Sequence, residues 1–357
     1  MAIDINEQIA ERQIARDMKE GSNAGFRDAD SIRASSDRTL PWWVGTGAGG
    51  QGNLVLRPGL ATVEEALTDG GLDFDVALRP VLTMGAGGRL TKIDTHSAVV
   101  RLDTGAVLGI VGRKYRAIQF RDGLGEFGKA ILATDGAAIE TAGTMYGGRV
   151  GILSFELDAL KGVKVAGEKA EGEIRTYLLL STSHDGSMAL QASITPVRWV
   201  CKNTLNFALR GARSTFKVRH SGGVADKYVE ARRVLGITID YLDRFEAVAN
   251  LLAARAVPDA AVFDVMKNVW PVPEALSPGW QERHSARLAT DLYFTSDTLS
   301  GIRGTAWGVL NAVAEFVDHE LPYKGRQSDQ ADVRASAILW GRGVRAKDRA
   351  LAVLQEL

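Results

Sequence analysis

The sequence predicts an α+β fold: an antiparallel β-sheet domain with a few helices, followed by an α-helical C-terminal domain. Three observations carry that expectation. From Asp73 to Arg219, short runs of alternating apolar and polar residues are separated by turn signals. From Val224 onward the apolar spacing changes to threes and fours. Pro258, Pro271, Pro273, Pro278 and Pro322 then divide the remainder into shorter helices. The expected organisation is a flexible N-terminal arm over 1–40, an α+β domain with basic hairpins over 41–222, and a helical domain over 223–357.

Residues 1–40 are polar and charged, with Ile5, Ile9 and Ile14 loosely periodic in a short amphipathic helix over 5–19. Residues 21–39 read as an exposed arm, either frayed or docked on a neighbouring subunit. Pro41-Trp42-Trp43 marks the entry to the fold. The glycine-rich stretch Gly45–Gly52 lacks the lysine and hydroxyl residue of a phosphate loop, so it reads as a plain loop. Thr62 begins a helix, and Glu65 three residues on completes a capping box.

In the β half, Phe74, Val76 and Leu78 alternate. Ser97–Leu102 and Ala106–Val111 flank Asp103-Thr104-Gly105, a tight hairpin signal. Leu124, Phe127, Ile131 and Leu132 place a helix over 121–133. Strands follow at 149–157 and 174–183, separated by a polar excursion over 161–172. His184-Asp185-Gly186 turns the chain into a strand over 191–200, then a helix is expected over 201–209 and a strand over 214–220. Beyond that, Tyr228, Ala231, Leu235, Thr238, Leu242, Phe245, Ala249 and Leu252 form a coiled-coil-like stripe. Helices over 305–321 and 344–357 are the clearest of the remainder.

Composition narrows the function. The chain has 357 residues, 45% of them hydrophobic, which supplies a sizeable core. Its single cysteine, Cys201, forms no intramolecular disulfide and fits a reducing compartment. Met1–Gln8 has acids and no apolar core of a signal peptide, and no run approaches a membrane span. A cytoplasmic location is expected. The five histidines, His96, His184, His220, His284 and His319, show no zinc spacing. In Asp318-His319-Glu320, neighbours on a helix splay apart and do not share one ion, so the string reads as structural. Glu64-Glu65 fits a helix N-terminus, and neither it nor Asp73/Asp75 makes an acid–base pair. No serine nucleophile elbow is present. Cys201, at the start of the expected helix with His184 or His220 as base, is the one nucleophile to weigh against a buried small hydrophobe. No catalytic residue, metal or cofactor is assigned.

Charge is more informative. Lys+Arg and Asp+Glu both number 43. Yet the forty residues Gly186–Ala225 contain no acid and hold Arg198, Lys202, Arg210, Arg213, Lys217 and Arg219. A second acid-free stretch, Thr104–Arg121, carries Arg113, Lys114, Arg116 and Arg121. With the aromatics Tyr115 and Trp199 interleaved, these segments suit single-stranded DNA, whose phosphates are tracked by cations and whose bases stack on aromatic faces. Asn203 and Asn206 add hydrogen-bonding groups. The same charges also fit a solvated sheet face whose balancing acids come from the helical domain. The basic run Arg342–Arg349 either extends the patch or is solvated.

Several ordered motifs carry a resemblance: Trp42-Trp43, the LRPV at 78–81, LGIVGRKYRAIQ at 108–119, LLLSTSHDGSMAL at 178–190, TPVRWVCKNTLNFAL at 195–209 and GTAWGVLNAVAEFVDH at 304–319. From about Pro41 to the C-terminus the chain resembles the phage- and plasmid-type proteins with domain of unknown function 932. That resemblance implies a mobile-element context and no agreed chemistry. The order of elements is also similar, at the level of fold alone, to single-strand annealing recombinases, which hold a strand along a cationic groove of a ring or filament and need no catalytic residues. The leading expectation is a homo-oligomeric protein that binds single-stranded DNA and promotes annealing in recombination or replication, without covalent catalysis. On that expectation, Arg198→Glu with Lys202→Glu abolishes binding and leaves the fold intact. The alternatives are an interaction factor that docks a partner on the 224–252 stripe, and an enzyme using Cys201.

Overall fold

The computed structural model describes residues 54–55, 62–134, 136–157, 162–168, 174–198, 200, 203–209, 212–218, 224–272, 284–323 and 330–357. The N-terminal arm, Trp42-Trp43, the glycine-rich loop, Trp199, Cys201, Lys202, Arg210, Arg219 and His220 lie outside those residues.

In chain order the β elements are β1 (Leu54–Val55), β2 (Val76–Met84), β3 (Leu90–Arg101), β4 (Val107–Gly112), β5 (Ala138–Met145), β6 (Val150–Glu156), β7 (Ile174–Ser183), β8 (Gln191–Arg198), β9 (Asn203–Thr204) and β10 (Thr215–Lys217). They build two antiparallel sheets. The larger has the order β1-β5-β6-β7-β8-β10, with β9 also paired to β8; the smaller is β2-β3-β4. The helices are α1 (Val63–Asp69), α2 (Glu126–Leu132), α3 (Val224–Ala254), α4 (Asp259–Val269), α5 (Ser285–Thr295), α6 (Ala306–Glu315), α7 (Gln330–Leu339) and α8 (Arg342–Glu356). The fold class is α+β, as the change of period at Val224 predicts. No helix among the described residues is long and apolar enough to cross a membrane.

Much of the β half follows its local chemistry. At α1, Thr62 Oγ1 accepts the Glu65 N–H at 3.2 Å and Glu65 Oε2 accepts the Thr62 N–H at 3.2 Å, the reciprocal capping box. Gly105, with φ 73°, sits in the turn between β3 and β4, a conformation that favours glycine. β7 and β8 pair from Ile174↔Arg198 to Ser181↔Gln191. The helix expected over 121–133 opens with a π turn, Arg121–Gly125, and continues as α2.

Three features differ from the sequence reading. β5 and the distal half of the β2–β3 hairpin were not anticipated. Residues 203–209, expected to be helical, form no helix: Asn203 and Thr204 pair with Arg198 and Val197 of β8, and Leu209 bridges Ala212. Leu205, Phe207 and Leu209 are all buried, and so are Asn203, Thr204 and Asn206 between them. Third, the stripe on α3 is not a free docking face. Ala231, Leu235, Thr238, Leu242, Phe245, Ala249 and Leu252 are buried in this chain's own core. Phe245 lies 5.5 Å from Phe207 and 6.2 Å from Trp307 between ring centroids, and the Tyr241 hydroxyl donates to Phe207 O at 2.7 Å. The apolar residues of both halves join in one buried cluster, from Val63 to Leu354.

Candidate nucleic-acid interface

The expected cations divide into two groups that the structure treats in opposite ways. The first gathers around the β7–β8 turn. After β4 ends at Gly112, the Tyr115 N–H donates to Gly112 O at 2.9 Å and the Arg113 N–H donates to Thr95 O at 3.0 Å, so the chain turns tightly. Tyr115 points inward, half-buried, and its hydroxyl donates to Ser183 O at 3.2 Å. Burial, and then the charge of Asp185, push the Tyr115 hydroxyl above its ordinary pKa. With Tyr115 committed to the interior, Arg113, Lys114 and Arg116 are exposed, and among the described residues none is ion-paired. Arg121 is exposed as well, with its charge matched by Asp75.

Close packing brings β4 to this turn. A Cβ on Gly109 would stand 2.7 Å from Asp185 Cα, so glycine alone lets the small sheet press on the β7–β8 turn. Asp185 adds one negative charge. Burial alone would raise its pKa, but hydrogen bonds from Ser187 and Ser183 and the charge of Arg149 hold it below the usual carboxylate value. Arg149 is exposed here too, and its carbonyl accepts the His184 N–H at 2.7 Å. The sequence reading passed over Arg149 as the start of a strand; only the fold places it beside the turn. On the other side Lys217, exposed on β10, lies opposite Gln191, and the Val218 N–H donates to Leu190 O at 2.9 Å. Arg113, Lys114, Arg116, Arg149 and Lys217 therefore border one turn. Arg213 is exposed two residues before β10, toward the far end of that short strand.

The second group faces inward. Arg198 was expected to contact phosphate. Its guanidinium instead donates from Nε to Glu168 Oε1 at 2.6 Å, from Nη2 to Oε2 at 2.9 Å, and from Nη1 to Thr298 O at 2.9 Å. The two side chains are 4% and 7% exposed, so this charge is spent inside the protein. Trp307 Nε1 donates to the same carboxylate at 2.6 Å. Asn203 and Asn206, expected to meet backbone or base, are buried: Asn203 Nδ2 donates to Asn311 O at 3.3 Å, and Asn206 Nδ2 to Leu339 O at 3.0 Å. Between them, Thr204 donates from its N–H and hydroxyl to Asp318 Oδ2 at 2.6 and 2.8 Å, and Lys347 Nζ reaches Asp318 Oδ1 at 2.6 Å. Burial pushes the Asp318 carboxyl up, and Lys347 and Thr204 oppose that. Arg198, Asn203, Thr204 and Asn206 thus clasp the sheet to the helices.

The position of β8 in the sheet accounts for this arrangement. β8 lies between β7 and the β9–β10 edge and is buried on both faces, and such a strand displays no cation. Arg198 also alternates onto the face that carries Ile194 and Pro196. His184, weighed as a base for Cys201, is buried, with its ring 3.9 Å from that of Phe120 and 5.7 Å from that of Phe74.

Residues 107–340 match the family described as Domain of unknown function (DUF932). The matched stretch includes the exposed cations and the inward clasp except for Lys347. No curated protein matches the chain, and no solved structure matches it.

Proposed function

The chain belongs to the domain of unknown function 932 family, and starting from that family without an assigned activity we propose that it binds single-stranded DNA through the cationic border of its β7–β8 turn. The observation that supports this reading is the set Arg113, Lys114 and Arg116: exposed, without an ion pair among the described residues, and set beside Arg149 and Lys217. Unpaired cations on one border are what a phosphate backbone needs. Tyr115 holds the loop in place, since its hydroxyl is engaged by Ser183 and its ring is half-buried. Arg198, Asn203 and Asn206 have no part in the contact surface and serve by fixing the sheet to the helices. Annealing of complementary strands in recombination or replication of a mobile element is the activity such a surface would support, through binding alone.

The test is fluorescence anisotropy with a labelled single-stranded oligonucleotide across a salt series. Five phosphate contacts give a log–log salt slope of about −3.5. The triple variant Arg113→Glu, Lys114→Glu, Arg116→Glu changes only exposed side chains. It is expected to weaken binding at least tenfold while far-UV circular dichroism stays unchanged. Equal affinity and slope in that variant would sink the reading. Arg198→Glu is unsuitable for this purpose, because it sets a second carboxylate against buried Glu168 and attacks the fold.

A further inference from the structure

The turn that carries Arg149 holds a conformation that its first residue does not favour. Met145 of β5 pairs with Val150 of β6, so Tyr146-Gly147-Gly148-Arg149 is the whole connection. Tyr146, Gly147 and Gly148 have φ of 52°, 68° and 96°. Glycine enters that left-handed region freely, whereas the Cβ of tyrosine crowds its own backbone there. Among the described residues Tyr146 is the one non-glycine residue with positive φ. Such a conformation persists where the surroundings over-determine it. Helix α7 does so here. Asp332 Oδ2 accepts the Tyr146 N–H at 2.7 Å, and the Tyr146 hydroxyl donates to Ser336 Oγ at 2.9 Å. Asp332 and Ser336 are four residues apart and share one face of the helix. The helix therefore grips Tyr146 at both its backbone and its side-chain tip.

The far end of α7 is anchored separately. Asn206 Nδ2 donates to Leu339 O at 3.0 Å, and Trp340 Nε1, just past the helix, donates to Ser193 Oγ at 3.1 Å. The other side of the turn is closed by packing: a Cβ on Gly148 would stand 2.9 Å from Arg101 Nη1 and 3.0 Å from the Phe74 ring. Arg149 then emerges, exposed, while its carbonyl accepts the His184 N–H at 2.7 Å. Four residues fixed between two paired strand ends have little slack, so a change of φ at Tyr146 is passed on to Arg149. We infer that Tyr146 is a positioning residue of the cation border, and that α7, through Asp332 and Ser336, sets where Arg149 presents its charge. This rests on the reading of that border as a phosphate-binding surface and adds its control. Displacing α7 from the turn withdraws the Arg149 contact and leaves Arg113, Lys114 and Arg116, which follow β4, in place.

Amide hydrogen exchange and salt-series anisotropy, both on the full chain, test the inference. Asp332→Ala removes the acceptor of the Tyr146 N–H. It is expected to speed exchange of the His184 amide about tenfold, since that amide rests on Arg149 O. Through the loss of one phosphate contact it is also expected to weaken oligonucleotide binding about fivefold at 0.1 M salt, with a slope shallower by about 0.7. Adding Tyr146→Gly, which adopts the left-handed conformation unaided, is expected to bring both readouts back to within about twofold of the wild type. In the otherwise native chain, asparagine tolerates that conformation and valine resists it. Tyr146→Val is therefore expected to loosen the His184 amide and Tyr146→Asn to keep it, a comparison that decides the matter if Asp332→Ala fails to fold. A His184 amide unchanged in Asp332→Ala, no recovery on adding glycine, or valine and asparagine behaving alike would each overturn the inference. A wild type that binds no oligonucleotide would instead remove the DNA reading, and the exchange measurements would still decide whether α7 sets the turn.

Discussion

His184 shows how one buried side chain sets a solution property. Its ring packs against Phe120 and Phe74, and among the described residues neither ring nitrogen has a hydrogen-bond partner. Burial pushes its pKa from 6.5 down to about 4, with the charge of Asp185 opposing. The folded chain therefore keeps His184 neutral where the unfolded chain takes a proton. Its stabilising contribution is complete above the ordinary value of 6.5 and is lost as pH falls from there toward about 4. Between pH 7 and pH 5 the loss amounts to about 2 kcal/mol. Thermal melts at those two pH values are expected to show it, and His184→Phe, which fills the same aromatic space, is expected to remove most of the difference. An equal pH dependence in that variant would show that other groups cause it.

Among the elements, β9 is tied to the helices by buried hydrogen bonds. Lys347 and Asp318 are both fully buried, and Thr204 supplies the remaining hydrogen bonds of the carboxylate. Lys347→Met leaves that carboxylate without its counter-ion and is expected to cost about 3–5 kcal/mol. Urea unfolding followed by tryptophan fluorescence measures it; a loss below about 1 kcal/mol would mean that the pair is dispensable. The legibility of the sequence varied in the same region. Elements whose signals are local were readable: the Thr62 cap, the Asp103-Thr104-Gly105 turn, β7 and β8. The non-helical course of 203–209 was hidden because Leu205, Phe207 and Leu209 also suit a helix when no partner is in view. What decides the matter is Asp318, more than a hundred residues away, which takes the Thr204 N–H that a helix would have used. The cation surface was half readable for a related reason. Arg113, Lys114 and Arg116 follow a turn and stay outside, whereas Arg198 is drawn in by Glu168 from the polar excursion, an acid that the local sequence does not contain.

At the scale of the whole molecule, a neutral chain divides its charge between the interior and the surface. Among the described cations of the acid-free block from Gly186 to Ala225, Arg198 is consumed by the internal carboxylate of Glu168, whereas Arg213 and Lys217 stay exposed, so any electrostatic attraction from them is local. Internal carboxylates also cross the boundary between sheet and helices: Glu168 meets Trp307, and Asp318 and Lys347 meet Thr204. Cutting the link between Val218 and Val224 would leave each fragment with buried groups that only the other can satisfy. The clasp thus makes this chain a natural split protein. Separately expressed fragments are expected to be insoluble or unfolded, and co-expressed fragments to copurify as a folded pair, with Lys347→Met in the second fragment weakening that recovery.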